Sequence, residues 1–293
     1  MKSINKKKIE KVIPQPAAPG MVGDGFRVYN YIPGASVPQQ RISPFLMLDF
    51  NAEVDFPPSE HLRGVDVHPH KGFETVTISY KGSVAHHDSA GNSGIIHPGD
   101  VQWMTAGAGI LHKEYHEKEY AKKGGPFEMV QLWVNLPKKD KSTAPHYQAI
   151  SKEQMSKVEL PDQQGTVNVI AGTYNGVTGP AQTYSPVNVF DIKLKKGGTT
   201  HTSLPAGYNT AILLINGSAT INGQKTPGHS FVLFANEGEE IDITANEDAV
   251  LLVLSGEPLN EPIASYGPFV MNTQAEIIES IREFQSGKFG VLE

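Results

Sequence analysis

The chain contains no cysteine, and that absence excludes disulfides, thiolate metal ligands and cysteine nucleophiles together. Any metal it binds has to be held by histidine and carboxylate. No window approaches the roughly 18 consecutive apolar residues of a membrane-spanning helix, so no membrane partner is expected. Positive charge is also in short supply: 25 Lys and Arg stand against 31 Asp and Glu, a formal net charge of −6. Such a surface does not attract a phosphate backbone, which argues against nucleic acid as a direct partner. The segment Met1 to Val12 concentrates Lys2, Lys6, Lys7, Lys8 and Lys11. No apolar stretch follows it, so it reads as a frayed, solvated end rather than a secretory leader. The expected compartment is the cytoplasm, or the nucleus in a eukaryotic cell.

Glycine and proline are plentiful, 29 and 21 among 293 residues, and their spread implies many turns between short strands. Between Gly25 and Leu136, alternating or apolar runs are broken by turn residues, as at Phe45 to Phe50, Glu74 to Tyr80, Gly94 to Ile96, Val101 to Thr105 and Met129 to Leu136. Each reads as a strand. A polar stretch from Pro137 to Pro161, with a short helix expected around Lys152 to Ser156, suits a connection. Strand-like runs return at Val187 to Leu194, Ala211 to Ile215, Phe231 to Phe234 and Ala249 to Leu254. The halves also superpose as patterns. Glu74 to Tyr80, a Gly82-Ser83 turn and a Pro98-Gly99 turn in the first match Tyr208 to Ile215, Gly217-Ser218 and Pro227-Gly228 in the second. A duplicated strand-turn-strand order points to two similar barrels. The expected organisation is therefore all-β: a first barrel over residues 13–137, a connection over 138–166, and a second barrel over 167–293. That last segment ends in a helix. Thr273-x-x-Glu276 has the form of a capping box, Ile277, Ile278, Ile281 and Phe284 follow at helical spacing, and Gly287 is placed to stop it. Its apolar stripe should pack back toward the other barrel.

Two histidine pairs carry the chemistry. In a strand, residues i and i+2 face the same way, so His68 and His70 form a two-ligand clamp on one rigid element. His112 and Glu114 repeat the spacing and add a carboxylate to balance the charge of a divalent cation. Without thiolates the set favours iron and also suits manganese, nickel, copper or zinc. Glu74 is a rival to Glu114, because it would share the face of His70 if the strand ran unbroken through Gly72. Trp103, Met104 and Trp133 read as interior filling, Gln131 as a buried amide that needs partners, and His86, His87, His97 and His116 as turn or surface residues without a role. Counted from the shared turns, the second half offers Ser203, Pro205, Ile241 and Ile243 where the first has its ligand candidates. None of these can ligate, so metal is expected in the first barrel only.

His68-Pro-His-Lys-Gly-Phe-Glu-Thr-Val-Thr77, Pro98-Gly-Asp-Val-Gln-Trp-Met-Thr-Ala-Gly107, Gly109-Ile-Leu-His-Lys-Glu114 and Gln131-Leu-Trp-Val-Asn-Leu136 resemble successive blocks of the pirin family of the cupin superfamily. Gly256 to Pro262 and Gly267 to Thr273 extend the resemblance to nearly the whole chain apart from residues 1–12. It implies two cupin-type barrels (a bicupin), an iron ligand set of His68, His70, His112 and Glu114, and Glu74 as a near neighbour outside that set. It further implies a quercetin 2,3-dioxygenase type of activity on a small aromatic, flavonol-like substrate, with Glu114 as the catalytic base. The alternative it carries is a redox-responsive binding protein that docks on a regulatory protein partner, such as a transcription factor or metabolic enzyme. A monomer is the expected state.

Overall fold

Short runs rich in β-branched and aromatic residues, closed by Gly or Pro, become the strands of the computed structural model, which describes residues 5–292. In chain order the first are β1 Ile9–Ile13, β2 Gly20–Val22, β3 Phe26–Ile32, β4 Phe45–Phe56, β5 Gly64–His70 and β6 Phe73–Lys81. There follow β7 Val84–Asp88, β8 Ser93–Ile96, β9 Val101–Thr105, β10 Ile110–His116, β11 Gly125–Asn135 and β12 His146–Ile150. The contacts divide the chain into two units. One takes Pro16–Gln40, Phe45–Lys152 and Leu259–Glu293; the other takes Arg41–Pro44, Glu153–Pro258 and the segment up to Gln15. Each unit is a β-fold with a seven-stranded and a four-stranded sheet.

In the unit that carries the histidine pairs, the large sheet runs β12-β9-β6-β11-β4-β3-β2 and the small one β5-β10-β7-β8. Residues face inward in register across the strands. One end of the space between the sheets is closed by an apolar plug of Phe26, Val28, Val84, Ile96, Phe127 and Met129. Above it the neighbours Asn30, Asp49, Gln131, Thr77 and Gln102 form a polar row across five strands, exposed at Asn30, half-buried at Gln131 and buried at Asp49, Thr77 and Gln102. Above that row Met47, Trp133, Thr75, Met104 and Tyr147 form the next. A β-barrel interior is usually apolar, so the polar row marks where function has displaced packing.

The other unit is filled conventionally. Its large sheet is ordered Ile9–Ile13, Phe231–Phe234, Asn209–Asn216, Ala249–Gly256, Val187–Leu194, Gly165–Ala171 and Ser156–Glu159. Its core packs Val167, Phe190, Ile212, Leu214, Phe234, Ile241, Ile243, Leu251 and Val253 with their neighbours. Ile241 and Ile243 thus occupy apolar interior, while Ser203 and Pro205 are exposed. The duplicated pattern is real in three dimensions: β6 pairs antiparallel with β9, as Asn209–Asn216 pairs with Phe231–Phe234.

Both chain ends depart from the expected ranges. Lys2 lies outside the described residues, but from residue 5 the basic segment is not a frayed end. Strand β1 adds to the edge strand Phe231–Phe234, and Lys7 is fully buried, with its Nζ donating to the carbonyls of Pro205, Ala206 and Gly238. Desolvation lowers its pKa from the usual lysine value. At the other end the helix Gln274–Gln285 forms as its capping box dictates, with Thr273 Oγ1 accepting from Glu276 N at 3.2 Å. Its Ile277 packs with Phe269, Met271, Phe289 and Leu111, so it belongs with the unit of β10 although its chain segment follows the second barrel. The connection is also shared out. β12 joins the sheet of β9, and residues expected as a helix near Lys152 make a turn leading to the strand Ser156–Glu159.

Because β1 covers an otherwise open apolar edge, deletion of residues 1–13 should lower the thermal midpoint by several degrees and promote self-association. Calorimetry and light scattering on the truncated chain check this; an unchanged midpoint would show that β1 is dispensable.

Candidate metal centre

The clamp is built by the β5–β10 ladder. His112 pairs directly with His68 and Ile110 with His70, so the i, i+2 histidines of β5 converge on the histidine of β10. One step later the register shifts: Glu114 pairs with Val65, which leaves an extra residue in β5. Such a bulge re-aims side chains. It lets Val65 pack against the apolar plug while His68 still turns toward its partners.

His68, His70 and His112 each offer a ring nitrogen within 4.8 Å of the others, and the Nε2 atoms of His68 and His112 are 2.8 Å apart. Two nitrogens each about 2.1 Å from one ion would be separated by roughly 3 Å. The Asp66 carbonyl lies 2.8 Å from His68 Nδ1. A proton on Nδ1, donated to that carbonyl, leaves the Nε2 lone pair for a metal. Burial pushes the pKa of His70 and His112 well below the ordinary histidine value, reinforced by the other imidazoles. Neutral rings with free lone pairs are what a metal requires, and the donor set fits a divalent transition ion. His70 packs against Phe73 and Trp133, at ring separations of 5.1 and 5.3 Å, so Trp133 is a wall of the site.

Glu114 faces inward from β10 but is not in the group of three. Its Oε1 accepts from Thr77 Oγ1 at 3.2 Å and its Oε2 from Gln131 Nε2 at 3.0 Å. The amide that the sequence marked as needing a partner thus finds the carboxylate. Glu74 is on the other face. The chain turns at Lys71 and Gly72, where Gly72 has φ +87°, and the strand parity is lost. Thr75 and Thr77 therefore face the histidines, whereas Glu74 shares the face of Trp103 and Thr105 and accepts from Thr105 Oγ1 at 2.7 Å. It is no neighbour of the centre. Desolvation raises its pKa to about 7, against which the Thr105 hydrogen bond acts.

Two histidines dismissed from the sequence are fully buried. His116 stacks on Phe127 and places Nε2 2.8 Å from the Gly25 carbonyl, a structural role in the plug. His86 is different: it lies directly across the ladder from Glu114, beside the ring of Tyr147, and neither of its nitrogens has a partner. Burial lowers its pKa to about 4. Parity within β7 was the available signal, since His86 and Asp88 alternate with the outward His87. His87 stacks on Tyr115 and His97 is exposed beside Ser83.

A carboxyl whose folded pKa stands above its unfolded value binds protons more tightly when folded. The stability this gives is complete below the unfolded pKa, near 4.5, and is lost as pH rises through about 7. Glu74→Gln should therefore raise stability at pH 8 by about 3 kcal/mol at most and flatten the loss between pH 5 and 8. Denaturant titrations at both pH values check this, and metal content should not change.

Comparison with known proteins gives one family. The Pirin model matches residues 25–134 and the Pirin C-terminal cupin domain model matches residues 189–290. A Pseudomonas aeruginosa protein provisionally named a quercetin 2,3-dioxygenase is 48% identical over 268 residues, covering 92% of this chain and 93% of its own. Pirin-like protein 2 of Arabidopsis thaliana is 38% identical, covering 92% and 81%. The crystal structure of a quercetin 2,3-dioxygenase from Acinetobacter baumannii superposes with a TM-score of 0.93 at 47% identity, covering 98% of this chain and 99% of that one.

Proposed function

The chain belongs to the pirin family, and we propose that it is an iron(II)-dependent flavonol 2,3-dioxygenase. The observation that carries the reading is the convergence of three imidazoles on two paired strands, one of which also carries the buried carboxylate of Glu114, in a chain 47% identical over nearly its full length to a quercetin 2,3-dioxygenase.

His68, His70 and His112 would hold the ion, and Glu114, next but one to His112 on the same strand, would be its fourth ligand. The ion, when bound, supplies an open coordination position that acts as a Lewis acid and as a template for flavonol and dioxygen. Glu114 is also the base: a carboxylate oxygen takes the proton of the flavonol 3-hydroxyl. Thr77 and Gln131 each donate to one of its oxygens, which orients the carboxylate and leaves one lone pair on each oxygen, one for the ion and the other for that proton. Trp133 and Phe73, beside His70, give a planar ring an apolar wall. In the overall change both atoms of dioxygen enter the product, the central ring opens and one carbon leaves as carbon monoxide.

Glu114→Gln should keep much of the iron, because the imidazole set remains, yet lower flavonol-dependent oxygen uptake by about 100-fold or more, as expected when a general base is removed. Glu74→Gln should stay near the parent in both. Iron analysis with oxygen-electrode traces for the three proteins checks this. Parent-like turnover by Glu114→Gln would remove the carboxylate from the mechanism; iron-loaded parent without any uptake would turn the reading to the redox-responsive binding protein.

A further inference from the structure

Beside Glu114 the interior holds hydrogen-bonding groups that the protein does not use. Gln102 is fully buried, and neither its Nε2 nor its Oε1 has a partner; the same is true of both nitrogens of His86. Leaving such groups unpaired costs roughly 1–3 kcal/mol each, so native interiors satisfy them with water or with a ligand. The two residues converge on one place. On the large sheet Gln102 is the cross-strand neighbour of Thr77, which donates to Glu114, and on the small sheet His86 is the cross-strand neighbour of Glu114 itself. Tyr147 stands with them, its ring 4.5 Å from that of His86. One step toward the histidines, Thr75 Oγ1 is buried and unpaired as well.

We infer that Gln102 and His86 form a hydrogen-bonding subsite that reads ring hydroxyl and carbonyl groups on a planar oxygenated ligand held at the metal centre. This rests on the flavonol reading of the same site. An amide and an imidazole can each donate and accept, which matches a phenolic hydroxyl or a ring carbonyl. The inward positions around them carry Asp49 and Glu114 and neither lysine nor arginine, so the subsite rejects carboxylate, sulfate or phosphate substituents. It selects hydroxylated rings over bare ones, because an analogue without the hydroxyl leaves the same buried groups unpaired.

The test compares quercetin with 3-hydroxyflavone, which keeps the metal-binding 3-hydroxyl and lacks the other ring hydroxyls. Equilibrium binding is measured under anaerobic conditions on iron-loaded parent, Gln102→Leu and His86→Phe, with oxygen uptake followed separately. The parent should bind quercetin about tenfold or more tightly than 3-hydroxyflavone, and each apolar variant should lose most of that ratio at unchanged iron content. Neither substitution strands a protein partner, so both variants should fold, and His86→Gln, which retains a donor and an acceptor, should recover part of the ratio. Equal binding of the two flavonols by the parent, or a ratio that survives in both apolar variants, overturns the subsite and assigns the polar groups to internal water. A parent that prefers quercetin yet consumes no oxygen supports the subsite while removing the dioxygenase reading. A parent that oxygenates both flavonols without preference overturns the subsite alone.

Discussion

The pairing of His112 with His68 across β5 and β10 is the constraint on which the rest of this site depends. An antiparallel ladder holds directly opposed side chains about 5 Å apart, and the period of two brings His70 to the same side as His68. Three ligands therefore come from two strands with no loop involved. A slip of one residue would send His112 outward and bring Lys113 in, so the register cannot drift without losing the centre. The bulge opposite Glu114 reconciles this register with the packing below it, since without the extra residue Val65 and His68 could not both face inward.

The two units show what the same architecture does with and without that demand. In one, the interior strands bring isoleucine, leucine, valine and phenylalanine together, and Ile241 and Ile243 stand where His112 and Glu114 would be expected from the shared turns. In the other, a row running from Asn30 to Gln102 replaces apolar filling with amides, a hydroxyl and a carboxylate. Such a row weakens the core wherever its members lack partners. Four of its members are satisfied, by Asn30 donating to Asp49 and by Thr77 and Gln131 donating to Glu114, and Gln102 at its end is open. The free hydrogen-bonding capacity is therefore at Gln102, next to Thr77 and the carboxylate to which Thr77 donates.

Much of this was legible in the residues alone. Strand periodicity and duplicated turns pointed to two similar β-units, and the i, i+2 spacing put His68 with His70 on one face, because period-two placement is a local property. What failed was what depends on a break in the period or on distant partners. The Glu74 alternative turned on whether the chain ran straight through Gly72, and a glycine only permits the positive φ found there. His86 read as one of several surface histidines because period two separates it from His87 without saying which of the two faces is buried. The lysines near the start read as solvated because nothing local announces three carbonyl acceptors some 200 positions along the chain, as Lys7 finds at Pro205, Ala206 and Gly238.

A clamp made of strands is only as accurate as the spacing of their ends, and here the C-terminal segment secures both. Lys141, buried and with its pKa brought down to about 8 by desolvation, donates to the carbonyls of Gly72 and Val270 and to Asn135 Oδ1, tying the turn after His70 to the strand Phe269–Met271. Lys71, next to His70, pairs with Glu283 of the terminal helix and lies over the ring of Phe289. On the other strand Ser89 Oγ accepts from Leu111 N at 3.0 Å and donates to the Phe289 carbonyl at 2.6 Å, next to His112. Gly109 must be glycine for this, since a Cβ there would stand 2.2 Å from the Phe289 ring. The residues flanking two of the ligands are thus held by one helix and its tail, which limits how far β5 and β10 can part before a metal arrives. Ligands ordered in advance lose less conformational freedom on binding, so the convergence of three imidazoles gains from that restraint as a binding site.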